Sequence, residues 1–141
     1  GFIFTTSLPP AICAAAAQSI SLIQTDHGLR AKFFENVKTL RNRLEESFIR
    51  YKGKESHITI IPVKNAAACR QLADQLLKQH GIYTQPINFP TVPVGEECLR
   101  IICSARHLPK HILHLTYCLK KLLHGDHQAD RQEFPAFNLA N

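Results

Sequence analysis

The residue best suited to bind an anion is an arginine that interrupts an apolar strand. Arg100 lies within residues 98–103, where alternate apolar positions share one face and the arginine points to the other. A buried arginine is strongly unfavourable unless it is paired, and its planar guanidinium matches a carboxylate or a phosphate. The pattern therefore leaves two interpretations open: Arg100 binds a ligand, or it forms a salt bridge with Glu96 or Glu97.

A proline-rich loop precedes that strand. Residues 86–95 contain three prolines and end at Gly95. Because proline has no N–H to donate, this segment is predicted to be an irregular loop that cannot join a sheet. From the residues alone, the candidate site is Arg100 together with the loop before it.

Three histidines have the spacing of metal ligands on a helix. His107, His111 and His114 lie at positions i, i+4 and i+7, which share one helical face. Zinc sites use such spacing, but no carboxylate or cysteine with ligand-like spacing is expected to join these histidines. His111 and His114 also lie beside an apolar stripe rather than in a pocket. The sequence therefore predicts no metal site.

The cysteines are odd in number, widely spaced and without CxxC pairs. Four of the five fall on apolar, periodic positions, which predicts buried free thiols in a reducing compartment rather than a disulfide framework. No cysteine–histidine pair has the local sequence of a known nucleophile. The five are Cys13, Cys69, Cys98, Cys103 and Cys118.

The positive charge of the chain does not by itself indicate a nucleic-acid partner. The formal net charge is +6, and residues 30–54 carry eight basic side chains against three glutamates. The side chains between those charges form an apolar stripe instead of exposed aromatics, and no glycine-rich phosphate loop is present. No apolar run approaches the ~20 residues of a membrane span. Neither nucleic acid nor a membrane span is expected.

Hydrophobic periodicity predicts the elements that position these residues. Helices are expected over residues 11–24, 29–48 and 66–79 and from Pro109 onward, and strands over residues 57–63, 82–85 and 98–103. The first strand is apolar on both faces, which predicts burial of both. Asp26 is expected to cap the second helix, and Gly81 to end the third. Strands alternating with helices predict an α/β (α+β) domain, a small open sheet covered by helices on one side.

Each predicted helix carries an apolar stripe that should face a core. The alanine-rich first helix is expected to be closely packed. The stripes are Ile12, Ala16, Ile20 and Ile23; Leu29, Phe33, Val37, Leu40, Leu44 and Phe48; Leu72, Leu76 and Leu77; and Ile112, Leu115, Leu119 and Leu122.

Three segments resemble one group of enzymes. Residues 2–10 read FIFTTSLPP, residues 56–63 read SHITIIPV, and residues 80–101 read HGIYTQPINFPTVPVGEECLRI. The first is similar to the α-oxoamine synthases, a branch of the fold-type I enzymes that depend on pyridoxal phosphate. The third is more specific and resembles the 5-aminolevulinate synthases within that branch. The resemblance extends from residue 1 to about residue 123.

The resemblance implies the carboxy-terminal part of a fold-type I pyridoxal-phosphate transferase. Such an enzyme is a homodimer with a shared active site that condenses glycine with succinyl-CoA. The products are 5-aminolevulinate, CoA and carbon dioxide, in haem and tetrapyrrole synthesis. Two alternatives stay open: another α-oxoamine synthase, of the 2-amino-3-ketobutyrate, 8-amino-7-oxononanoate or serine palmitoyl type, and a catalytically silent interaction domain.

The resemblance also implies roles for four residues. Arg100 matches the arginine that binds the carboxylate of glycine. Thr91 matches a threonine that lines the acyl-CoA site near the succinyl group. Thr5 and Thr6 fall in the segment that reaches the coenzyme phosphate of the neighbouring subunit, with Thr6 preferred.

The chain departs from the family pattern in three places. The lysine that holds the coenzyme covalently belongs to a motif that is expected upstream of Gly1. No catalytic residue is therefore predicted here, and the chain is expected to be inactive alone. Val94 stands where many members have arginine. Residues 102–107 replace a proline-containing segment, which makes Cys103 a candidate neighbour of the substrate pocket.

The same comparison predicts the domain organisation and the location. Residues 1–25 are expected to end the large coenzyme domain and connect it, residues 26–124 to form the small domain, and residues 125–141 to be a loose acidic tail. The chain lacks methionine even at position 1, which predicts a piece of a longer protein. Gly81 with Pro86 favours a bacterial, cytoplasmic enzyme. A eukaryotic member is expected in the mitochondrial matrix.

Overall fold

The computed structural model describes residues 7–125, which form helices packed against a small sheet. Thr5, Thr6 and the predicted tail beyond Gly125 lie outside the described residues. In chain order the elements are α1 (Pro10–Thr25), α2 (His27–Glu46), β1 (Ile58–Pro62), α3 (Ala66–His80), β2 (Gln85–Ile87), β3 (Cys98–Ile102) and α4 (Pro109–His124).

The helix ends follow the local sequence signals. The side chain of Asp26 accepts a hydrogen bond from the backbone N–H of Leu29 at 2.8 Å, which caps the start of α2. Gly81 ends α3 in the left-handed conformation, with φ of 66°, and its N–H donates to the carbonyl of Leu77 at 3.0 Å. Both predicted caps are confirmed.

The three strands form an antiparallel sheet in the order β1-β3-β2. Ile61 and Thr59 of β1 lie opposite Leu99 and Ile101 of β3, and all four are buried on the face that the helices cover. The predicted open sheet with helices on one side is confirmed. Because side chains alternate along a strand, the other face carries Arg100.

The core lies between the helices and the covered face of the sheet. It joins α2, α3 and α4 to β1 and β3. Its largest side chains with under 2% exposure are Leu40, Leu44, Ile61, Leu76, Leu99 and Leu119.

Three predictions about the strands are wrong. The strand expected over residues 82–85 is instead Gln85–Ile87. Strand β1 is buried on one face and half-buried on the other, because the helices reach only one side of the sheet. Pro86 does join the sheet, paired with Leu99 between Gln85 and Ile87. Strand β2 is an edge strand, where a proline nitrogen that faces away from β3 breaks no hydrogen bond.

The apolar stripes are confirmed in part. Helix α2 stops at Glu46, so Phe48 leaves the stripe with φ of 56° and is 86% exposed, while Ile49 enters the core in its place. Leu77 is 48% exposed, since α3 turns Cys69, Leu72, Ala73 and Leu76 inward instead. The stripe of α4 is correct, with Ile112, Leu115 and Leu119 buried and Leu122 partly buried.

Helix α1 differs from its expectation. It packs against α2 but buries none of its residues within the part of the chain that the structure describes. Ile12, Ile20 and Ile23 are each more than half exposed, so the predicted close packing is not present there. Within residues 7–125, no helix has both the length and the apolar character that crossing a membrane requires.

Candidate functional site

Arg100 lies at the centre of the open face of the sheet. It pairs with Ile60 of β1 on one side and with Gln85 of β2 on the other, and it is exposed. The premise of a buried arginine was therefore wrong: the guanidinium has not been desolvated by the described residues. Pairing with β1 and β2 holds the backbone of Arg100 from both sides, so the site has a rigid base.

The residues beside Arg100 are themselves held in place. The hydroxyl of Tyr83 donates a hydrogen bond to Oε1 of Gln85 at 2.5 Å, and Nε2 of Gln85 donates to the carbonyl of Pro86 at 3.4 Å. Sequence reasoning did not single out Tyr83 or Gln85. Their spacing of two residues leading into a strand was the available signal, since it places both on one face.

The salt-bridge interpretation of Arg100 receives no support from its neighbours. Glu96 lies 3.5 Å from the ammonium of Lys52, and Oε2 of Glu97 accepts from the N–H of Gly95 at 2.9 Å. No carboxylate within residues 7–125 approaches Arg100 to 4 Å. Both glutamates are thus directed elsewhere, and the guanidinium is turned to the open side, where an added anion can reach it.

The loop between β2 and β3 brings Thr91 to the same end of the sheet. Thr91 is exposed, and its N–H donates to the carbonyl of Asn88 at 2.9 Å. Gly95 has φ of 91°, a conformation that other residues rarely adopt. Arg100 lies two residues inside the strand that this loop enters, roughly 7 Å from its end. Thr91 therefore lies in the loop that leads directly into the strand of Arg100.

The cysteines are distributed as the sequence indicated. Cys69, Cys98, Cys103 and Cys118 are buried free thiols, and Cys13 is exposed. Burial raises the pKa of the Cys103 thiol, which keeps it protonated and unreactive. Cys103 packs towards the backbone of Asn36 in α2, on the covered side of the sheet. It is therefore not a neighbour of the open face that carries Arg100.

The three histidines that share a helical spacing have different neighbours, so they do not form one group. Nδ1 of His107 accepts from the N–H of Ser104 at 3.1 Å, and Nδ1 of His111 accepts from the N–H of Leu108 at 3.2 Å. Those two rings therefore bond the backbone at and before the start of α4. His114 instead lies beside His80 and Cys118.

Burial shifts the pKa values of His80 and Cys118. It lowers the pKa of the His80 imidazole, with the positive charges of His114 and Lys121 acting in the same direction. Burial also raises the pKa of the Cys118 thiol to about 11, although Lys121 opposes that shift. His80 and Cys118 are therefore both neutral near pH 7.

Comparison with known proteins assigns the fold to a family. The model of the aminotransferase class I and II family matches residues 1–116. The chain belongs to this family. Among members of the family, a 5-aminolevulinate synthase of Paracoccus denitrificans is 47% identical over 124 residues, which cover 86% of the chain. The human erythroid-specific mitochondrial 5-aminolevulinate synthase is 46% identical over 112 residues, 78% of the chain.

A solved structure supports the same relationship within the aminotransferase class I and II family. A high-resolution structure of serine palmitoyltransferase bound to pyridoxal phosphate matches 86% of the chain with a TM-score of 0.79 and 27% identity. The predicted fold and the resemblance to 5-aminolevulinate synthases are confirmed. The chain spans 30% of the Paracoccus protein, 19% of the human protein and 31% of the serine palmitoyltransferase chain.

Proposed function

We propose that this chain is the carboxy-terminal part of a pyridoxal-phosphate-dependent 5-aminolevulinate synthase. The whole enzyme would condense glycine with succinyl-CoA and release 5-aminolevulinate, CoA and carbon dioxide. The observation that carries the proposal is the exposed Arg100 on the middle strand of the open face, with no carboxylate partner among residues 7–125. The 47% identity to the Paracoccus enzyme supports the choice among related activities.

Arg100 would bind the carboxylate of glycine. A guanidinium forms two parallel hydrogen bonds with a carboxylate, which fixes the position and the orientation of a small substrate at once. Because strands β1 and β2 hold the backbone on both sides, only the side chain of Arg100 loses freedom when the substrate binds. Gln85, held by Tyr83, would limit the side of the guanidinium from which the carboxylate approaches.

Pyridoxal phosphate would supply an electron sink that stabilises negative charge at the α-carbon of glycine. The described residues fit the substrate side of such a site, because the free guanidinium of Arg100 has the charge and shape that an amino-acid carboxylate needs. Thr5 and Thr6, preferably Thr6, would donate hydrogen bonds to the coenzyme phosphate of the neighbouring subunit. Both lie outside the described residues.

Thr91 and its loop would serve the acyl-CoA side. The exposed hydroxyl of Thr91 would donate to the succinyl group, and the loop of residues 88–97 would cover the site and exclude water. Pro90 and Pro93 restrict the loop to few conformations, so little conformational entropy is lost on closing. The conformation of Gly95 lets the loop turn sharply into the arginine strand.

The remaining parts of the proposal concern the whole protein. The covalent lysine would be supplied upstream of Gly1, and the active site would be shared by two subunits. The exposed apolar side of α1 would then be covered by the rest of the enzyme. The relatives include bacterial proteins and animal proteins named as mitochondrial, and for this chain we propose the bacterial cytoplasm, with the mitochondrial matrix as the alternative.

Profiling the substrates of the purified full-length protein tests this function. Glycine, alanine and serine are each paired with succinyl-CoA, acetyl-CoA and palmitoyl-CoA, and release of CoA is measured. We expect the highest kcat/KM for glycine with succinyl-CoA. Turnover with palmitoyl-CoA and serine alone would assign the chain to a serine palmitoyltransferase instead. Absence of turnover with every pair, in a folded protein supplied with coenzyme, would favour the silent interaction domain.

A further inference from the structure

A second group of chemically capable residues lies outside the site proposed for glycine. His80, His114 and Cys118 each offer one ligand atom, and these three atoms all lie within 4.8 Å of one another. We propose that these residues form a binding site for a divalent transition-metal ion, with Zn²⁺ as the preferred ion. Zn²⁺ would displace the proton of the Cys118 thiol to solvent as it binds. Two imidazoles and the resulting thiolate suit a metal of intermediate softness, whereas Mg²⁺ and Ca²⁺ require oxygen ligands.

The three residues come from two helices that meet at this point. His80 is the last residue of α3, and His114 and Cys118 lie one turn apart on α4. Sγ of Cys118 is 3.9 Å from Nδ1 of His114, and the His80 and His114 rings are 6.1 Å apart between centroids. A spacing of four residues places two side chains on one helical face, and the core packing of α3 on α4 brings in the third.

The distances are close to those of a tetrahedral site. Zinc bonds of about 2.3 Å to sulfur and about 2.0 Å to nitrogen place neighbouring ligand atoms roughly 3.3–3.5 Å apart. Each ligand atom of the cluster would therefore move by about an ångström to reach the metal. Small rotations of the half-buried His80 and His114 side chains supply such a movement without a change in the backbone.

One histidine already has the hydrogen bond that metal ligands usually make. Nε2 of His114 lies 3.2 Å from the backbone carbonyl of His80, and since a carbonyl only accepts, the nitrogen donates. In metal sites the second ring nitrogen commonly donates to a carbonyl, which fixes the orientation of the ring. While Nε2 donates to this carbonyl, Nδ1 is the nitrogen of His114 that would bind the metal; Nδ1 lies 3.9 Å and Nε2 4.0 Å from Sγ of Cys118.

An ion can reach the cluster from a cleft beside it. The cleft has a volume of about 1070 Å³, and His80, His114 and Cys118 all contribute to its wall. Three protein ligands leave the fourth position of a tetrahedral ion for water from this cleft. Residues from both faces of β3, Ile101 and Ile102, line the cleft together with Cys103, whereas Arg100 is not among its lining residues. The proposed metal site is thus separate from Arg100.

Metal binding can be measured directly on the protein as its gene encodes it. The protein is reduced and treated with chelator, and Zn²⁺ is titrated against a chromophoric competitor. Co²⁺ serves as a spectroscopic probe, because a cobalt–thiolate bond gives a charge-transfer band that cobalt–histidine sites lack. We expect one Zn²⁺ per chain from this site, the thiolate band with Co²⁺, and a higher Tm with Zn²⁺.

Variants with matched controls locate the ion. We expect C118A to abolish the cobalt–thiolate band and H80Q to weaken Zn²⁺ binding by at least about tenfold to a hundredfold. The controls are C103A, which removes another buried thiol of the same cleft, and H111Q, which removes another histidine of α4. Both controls should keep the wild-type affinity and spectrum.

The proposal is overturned if Zn²⁺ binds no more tightly to the wild type than to H80Q, or if C118A keeps the cobalt–thiolate band. H80Q keeps the test decisive if C118A unfolds, because His80 lies at the edge of the core. Circular dichroism melting of each variant identifies unfolding. The outcome does not depend on turnover of glycine, so the metal site and the proposed enzyme activity fail or succeed separately.

Discussion

The two faces of the sheet differ in what they bury, although one strand contributes to both. On the covered face, Leu99 is fully buried and Ile101 is 5% exposed. On the open face, Arg100 is exposed and Ile102 is 47% exposed. Alternation along β3 therefore places residues that stabilise the fold and a residue that can bind a ligand at adjacent positions. A change on one face should alter stability, and a change on the other should alter binding.

The largest effect on activity is expected when residues 1–141 are expressed without the rest of the protein. Residues 1–141 expressed alone should show no synthase activity and no absorbance from covalently bound coenzyme, because the required lysine is expected upstream of Gly1. Enzyme assays and absorbance spectra of the isolated chain and of the full-length protein provide the comparison. Covalent coenzyme binding by the isolated chain would show that the chain carries its own coenzyme lysine.

A core substitution tests the covered face. Leu99→Ala should lower the free energy of unfolding by about 2–5 kcal/mol, because it leaves a cavity at a fully buried position. Ile102→Ala, at a position three residues later on the open face, should lower the free energy of unfolding by less than about 1 kcal/mol. Urea unfolding of both variants in the full-length protein measures the difference. Equal losses would mean that the rest of the enzyme buries Ile102 as deeply as the helices bury Leu99.

Substitution of Arg100 tests the open face. Arg100→Leu should weaken glycine binding roughly tenfold to a hundredfold, since a charge-assisted pair contributes about 1.5–3 kcal/mol. Arg100→Lys should recover only part of this, because the ammonium cannot bond both carboxylate oxygens in parallel. The KM for glycine is measured beside Arg106→Leu, an exposed arginine beyond the strand. If glycine binding is unchanged while stability falls, Arg100 is structural.

The smallest effect is expected in the loop that borders the open face. Thr91→Val should raise the KM for succinyl-CoA about twofold to tenfold and leave the KM for glycine nearly unchanged, since it removes one hydroxyl on the acyl side. Steady-state kinetics with each substrate varied in turn separate the two. Equal changes for both substrates would indicate that the loop is a rigid connector that positions the whole site.

Sequence reasoning succeeded where the cause is local. The cap at Asp26, the glycine that ends α3 and the apolar face of β3 depend on residues within one turn or one strand of each other. The alternation that turned Arg100 away from Leu99 is a property of any extended strand. Its proposed role as a binding residue comes from the family resemblance, since the same pattern also fits a salt bridge.

Sequence reasoning failed where a position depends on what packs against it. Both faces of β1 are apolar, yet helices cover only one of them within residues 7–125. Pro86 joins the sheet because β2 lies at its edge, a fact that no local pattern contains. The apolar stripe of α1 has no core to face in the described part of the chain, although its periodicity resembles that of α4.

The group of His80, His114 and Cys118 shows most clearly what the sequence determines and what only the tertiary structure decides. The spacing of four residues between His114 and Cys118 is visible in the sequence, and the structure places the two side chains together, so the expectation that no cysteine joins the histidines is wrong. The position of His80 was not visible, because 34 residues separate it from His114. Periodicity fixes which side chains share a helix face, since the backbone geometry repeats. Only the packing of α3 against α4 decides which faces meet, because that depends on the shape of the whole core.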